Sequence, residues 1–125
     1  MMTADETSLS QRTLAEIIQA LDLTLLTQPR DFSELVPTAG YTSDLLSCVM
    51  ANAIRQGIWV TLQAHTNIVA VAALLDLSAV IITEGAMPDP NTIWKADHEG
   101  VVLLSTQKPS FYVAGKLWEM GLREA

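Results

Sequence analysis

Residues 57–85 read GIWVTLQAHTNIVAVAALLDLSAVIITEG, and this stretch decides the fold. Residues 58–62 and 79–83 are short runs dense in β-branched and aromatic side chains, which suit a strand. Between them, residues 68–75 form an unbroken apolar run of eight, strand or helix by apolarity alone. Its alanines and the polar Thr66-Asn67 start favour a buried helix. A strand, a helix and a second strand in succession make a βαβ unit, and its two strands then lie parallel.

The unit repeats downstream. Asp89 followed by Pro90 is a helix start, since aspartate caps and proline at the first position gives up no needed donor. That helix carries Ile93 and Trp94 and ends near Gly100. Residues 101–104 read as a strand, and a final helix from about Pro109 places Val113, Leu117 and Trp118 on one side before Gly121. The strand centres Val60, Ile81 and Leu103 are 21 and 22 residues apart, with a helix in each gap.

Upstream the pattern is looser. Thr13 and Glu16 form a capping-box pair ahead of Leu14, Ile17, Ile18 and Leu21, which predicts an amphipathic helix. A strand is expected at 23–26. Pro29, Pro37 and Gly40 mark 28–40 as a loop, with a short strand around Leu35. From Ser43, the positions Leu45, Leu46, Val49, Met50 and Ala53 predict a second helix that stops before Gly57. The expected fold is a single layered α/β domain over 13–125, with a mostly parallel or mixed sheet flanked by helices, after a flexible tail at 1–12.

Composition agrees with one domain: 125 residues hold one core. Half the residues are hydrophobic, 17% are charged and mean hydropathy is +0.29, more apolar material than a small monomer hides, so a homodimer is expected. A formal charge of -7 repels phosphate backbones and anionic lipid, which argues against nucleic acid and membrane partners. The polar, acidic start does not read as a signal peptide, and no apolar run is long enough for a membrane span. The single cysteine, Cys48, excludes an intrachain disulfide and fits a reducing compartment, so a cytoplasmic protein is expected.

In an open α/β sheet the turns after the parallel strands gather at one edge, where ligands bind. Those turns bring together Thr61, Gln63, His65, Thr66 and Asn67, then Thr83, Glu84 and Gly85, then Ser105, Thr106 and Gln107. Their hydroxyls, amides and helix-start donors suit a small polar ligand, and helix N-termini favour an anionic one. The competing reading is that Ser, Thr and Asn stand there as the caps and turns that any such fold requires.

No catalytic team assembles. His65 can serve as acid, base or ligand, but the other histidine, His98, sits on an expected surface helix beside Glu99, and no metal-binding spacing can be built. Loop capping or orientation is the structural role open to His65. Cys48 falls in an apolar helix without a charged sequence neighbour and reads as a small buried hydrophobe. Asp44, Asp76 and Glu84 are scattered and read as solvated caps. Gly115-Lys116 is followed by Leu117 and lacks the first glycine of a P-loop. Trp59, Trp94 and Trp118 are ordinary for core or interface packing, the interface being preferred. No metal and no cofactor are expected.

Over 41–53, 57–72, 79–85 and 100–116 the chain resembles the DRTGG domain family. The resemblance is carried by Ser-Asp-Leu-Leu at 43–46, Val-Met-Ala-Asn-Ala at 49–53, Trp-Val-Thr-Leu-Gln at 59–63, His-Thr-Asn-Ile-Val-Ala-Val-Ala at 65–72 and Val-Ile-Ile-Thr-Glu-Gly at 80–85. It implies a homodimeric α/β module of the kind found alone, beside CBS domains, within phosphotransacetylases, and in the noncatalytic N-terminal region of HPr kinases. Stand-alone relatives are associated with iron-hydrogenase and complex I-like redox systems. Where the namesake motif has Asp-Arg this chain has His65-Thr66, and where it ends Thr-Gly-Gly it has Thr83-Glu84-Gly85. Losing an arginine and gaining a glutamate weakens anion binding.

The function expected from residues and resemblance together is a noncatalytic regulatory or ligand-sensing module. It would dimerise, take a small metabolite or nucleotide, and act on a partner protein in a redox or hydrogenase-related system. The alternative is a pure protein-protein assembly factor without a small ligand. An enzyme using His65 is the third reading, and it wants for positioned partners.

Overall fold

The computed structural model describes residues 12–124. In chain order the elements are α1 (Leu14–Ala20), β1 (Thr24–Leu25), β2 (Gly40–Thr42), α2 (Leu46–Asn52), β3 (Ile58–Thr61), α3 (Asn67–Leu74), β4 (Ala79–Ile82), α4 (Pro90–Glu99), β5 (Leu103–Ser105) and α5 (Ser110–Glu119). The expected tail at 1–12 lies outside the described residues except for Arg12.

The strands form one sheet in the order β1-β5-β4-β3-β2. β2, β3, β4 and β5 run parallel, and β1 pairs antiparallel with β5, Thr24 against Ser105. The mixed sheet flanked by helices is the fold expected from residues 57–85 and their repeat.

Both faces of the sheet are covered, which is why β3 and β4 read as continuous apolar runs. Ile58, Val60, Ile81 and Leu104 point to one side, where Leu14 and Ile17 of α1 and Val113 and Leu117 of α5 close over them. Trp59, Val80, Ile82 and Leu103 point to the other, against Val49 of α2, Ile68, Val69 and Ala72 of α3, and Ala96 of α4. Trp59 is fully buried, and its indole Nε1 donates to the Ser43 carbonyl at 2.8 Å, so the buried N–H is satisfied.

Local chemistry sets the ends. At α1 the Thr13 hydroxyl accepts from Glu16 N while the Glu16 carboxylate accepts from Thr13 N at 2.8 Å, a complete capping box. Asp89 caps α4 through Thr92 N at 2.8 Å, with Pro90 in the first turn and Gly100 in the left-handed conformation at the end.

Four expectations need correction. No strand forms around Leu35; that segment folds over α1, and the Leu35 carbonyl accepts from Leu14 N at 2.7 Å. The strand is instead β2, whose three residues had no pattern of their own and are held by pairing with β3. On α2 only Val49 is fully buried, while Leu45 and Met50 face outward and Cys48 is half-buried rather than core. The preferred interface role fails for Trp59, which is fully buried core, whereas Trp94 and Trp118 are half or more exposed, as that role allows. Among the described residues no helix is long and apolar enough to cross a membrane.

Candidate functional site

The C-terminal ends of β2, β3, β4 and β5 face one edge, and the turns that follow them meet there. Asp44, two residues beyond β2, reaches to the end of β3: its Oδ1 accepts from Thr61 Oγ1 at 2.8 Å and from Leu62 N at 2.8 Å. The Thr61 hydroxyl accepts in turn from Gln63 N, and Gln63 Nε2 donates to the Asp44 carbonyl at 3.0 Å. Thr61 is fully buried, so its hydroxyl ties strands together rather than facing a ligand.

The turn after β4 is fastened to the one after β5. Glu84 and Gly85 both hold positive φ, and their amides donate to the carbonyls of Lys108 at 2.9 Å and Thr106 at 3.1 Å. Glycine suits position 85, whose φ of +72° strains any residue with a Cβ. Buried Thr83 shares a hydrogen bond with the Ser110 hydroxyl, and Thr106 Oγ1 accepts from Lys108 N. Ser105 is buried within the sheet, in register with Thr24.

Four helices start at this edge; α2, with Leu45 at its N-cap, has no side-chain cap, while α3, α4 and α5 each donate to a side chain of this chain. At α3 His65 Nδ1 accepts from Asn67 N at 3.1 Å, the loop-orienting role open to it from the sequence. At α4 the cap is Asp89; hydrogen bonds from the Thr92 amide and hydroxyl hold its carboxyl below the usual range, and the nearby His65 adds to the effect. At α5 Glu84 Oε2 accepts from Ser110 N at 2.9 Å, so the glutamate itself occupies the place where a helix start would take an anion.

Of the residues expected to form the site, Thr61, Thr83 and Ser105 are buried, while Gln63, Glu84, Gly85 and Thr106 are engaged in holding the turns. Those with free polar capacity toward solvent are His65, through Nε2, and the exposed amides of Asn67 and Gln107. Thr66 Oγ1 is buried without a partner among the described residues. Reading the sequence missed Asp44 and Ser110 as organisers of the edge. Asp44 stands in the Ser-Asp-Leu-Leu stretch that carried the resemblance, which was the available signal. No group of three or more His, Cys, Asp or Glu suited to a metal is found among the described residues.

No model of a known protein family matches the chain. No curated protein matches it in sequence. Solved structures do match. The CBS and DRTGG domains of the regulatory region of Clostridium perfringens pyrophosphatase, complexed with the activator diadenosine tetraphosphate, superpose with a TM-score of 0.71 at 16% identity over 92% of this chain. The fold is DRTGG-like. The chain spans about half of that regulatory region, 49%. At this identity the likeness concerns the arrangement of strands and helices. The polar edge of the DRTGG-like domain has to be judged on its own residues.

Proposed function

We propose that this DRTGG-like domain is a noncatalytic sensing module that binds a small nucleoside-bearing metabolite at the strand-end edge, pairs with a second copy, and passes its state to a partner protein. The observation that carries the reading is the exposed His65 imidazole and Asn67 amide at the start of α3, on either side in sequence of the buried, unpartnered Thr66 hydroxyl. The regulatory region of the pyrophosphatase, complexed with a dinucleotide activator, supports it. Asp44, Glu84 and Asp89 surround the same edge, and three of its four helix starts already carry a side-chain acceptor, so bare phosphate is disfavoured and hydrogen bonding to base or ribose is favoured. A redox or hydrogenase-related partner follows from the family resemblance alone.

Thermal shift with adenosine, ATP, diadenosine tetraphosphate and inorganic phosphate tests this, since a ligand of the folded state raises its stability. Nucleoside-bearing compounds are expected to give a saturable shift that His65→Ala or Asn67→Ala abolishes, and phosphate none. An equal shift in both variants would place the ligand elsewhere. Silence across the series would favour the second reading, an assembly factor without a ligand. That reading has its own support: His65, Asp89 and Glu84 already occupy three of the four helix starts at the edge, and Phe111, Trp94 and Leu74 stand exposed.

A further inference from the structure

On α5 Phe111, Gly115 and Trp118 follow at i, i+4 and i+7, which places them on one stripe, opposite the buried Val113 and Leu117. Phe111 is 91% exposed. Gly115 lies inside the helix, where glycine is costly. Nothing among the described residues requires it: a Cβ at Gly115 would have no neighbour there within 4 Å. Beside it a shallow hollow of about 280 Å³ is lined by Phe111, Tyr112, Gly115, Lys116 and Glu119. A protruding ring and a side-chain-free notch thus stand one helical turn apart on the same surface.

We propose that this stripe is the face on which two copies of the chain pair, their α5 helices antiparallel; the inference rests on the self-pairing in the reading above. A twofold contact is self-complementary, so a knob and its hole must both lie on the one patch. With the axis level with Val113, Phe111 of each copy enters the notch at the other's Gly115. The same placement brings Lys108 of each copy, whose ammonium lies over its own Tyr112 ring, level with the other's exposed Glu119 on the same flank of the stripe, so that opposite charges face each other. A parallel arrangement would align like charges instead. Close approach of two helix backbones is what a missing side chain at Gly115 permits.

The experiment is sedimentation velocity of the whole chain over a concentration series, with Phe111→Asp, Gly115→Leu and, as a control on α4, Trp94→Glu. The wild type and Trp94→Glu should sediment as dimers. Phe111→Asp and Gly115→Leu should weaken the dimer by about 30-fold or more, as loss of a central anchor does. Circular dichroism should show both folded, because Phe111 makes little contact within its own chain and leucine is a better helix former than glycine. Dimers that survive both substitutions would overturn the α5 face and leave self-pairing standing. A wild type that is monomeric throughout would overturn both.

Discussion

Asp44→Ala tests whether the strand-end edge is held by one carboxylate. Its Oδ1 takes two donors at 2.8 Å, the Thr61 hydroxyl and the Leu62 amide. Leu62 is exposed, so its amide turns to water and that loss is about 1 kcal/mol, an ordinary net hydrogen bond. Thr61 is fully buried, and its hydroxyl left without an acceptor costs about 1–2 kcal/mol. The sum, about 2–3 kcal/mol, corresponds to a midpoint lowered by about 8–12 °C for a domain of this size. Asp44→Asn keeps the acceptor and should lose only about 1 kcal/mol. Urea unfolding followed by far-ultraviolet circular dichroism gives the free energies directly. In a double-mutant cycle, Thr61→Val should recover at least about 0.5 kcal/mol of the Asp44→Ala loss, since no orphaned hydroxyl remains. An Asp44→Ala protein within about 0.5 kcal/mol of wild type would refute the idea that this side chain fastens the end of β3.

Two further outcomes follow from single residues. Gly57 is buried against backbone, with Ile54 O at 2.8 Å and Ala39 O at 2.9 Å from where a Cβ would stand, so Gly57→Ala forces main chain apart and should cost about 2 kcal/mol or more by urea unfolding; a neutral result would show that the entry to β3 yields easily. The Asp89 carboxyl is depressed in the folded state, first by the Thr92 amide and then by the Thr92 hydroxyl. Its contribution is therefore complete above the ordinary carboxylate range and is lost as pH falls through the lowered folded value. Asp89→Asn, which caps a helix without titrating, should match wild type near neutrality and lose less on acidification; identical melting temperatures for the two proteins from pH 7 to pH 3 would count against this.

The sheet was legible where hydrophobic runs carry their own pattern. β3 and β4 are buried on both faces, so their composition alone announces them, and the Asp89-Pro90 and Thr13-Glu16 pairs state their helices locally. β2 was not legible, because Gly40, Tyr41 and Thr42 become a strand only by lying beside Ile58, Trp59 and Val60. Missing β2 also hid Asp44, whose role depends on where β2 ends. Of the residues read as turns at the edge, Thr61 and Ser105 lie within β3 and β5, and which of the others point inward is decided by neighbours distant in sequence, as Ser110 is from Thr83. Trp118 was recognisable as apolar, yet its half exposure reflects which side of α5 meets the sheet.

The pairing of Thr24 with Ser105 has a consequence for synthesis on the ribosome. Chain growth at about 5–20 residues per second separates the two residues by roughly 4 to 16 s. Over that interval β1 has no strand to join, and Leu14 and Ile17 of α1 have no finished surface to cover. α5 emerges later still, so the face of the sheet that it shares with α1 is the last to be sealed. The nascent domain is most open to proteolysis or misassociation through α1, and a stall in translation after β4 would prolong that exposure more than one within α1.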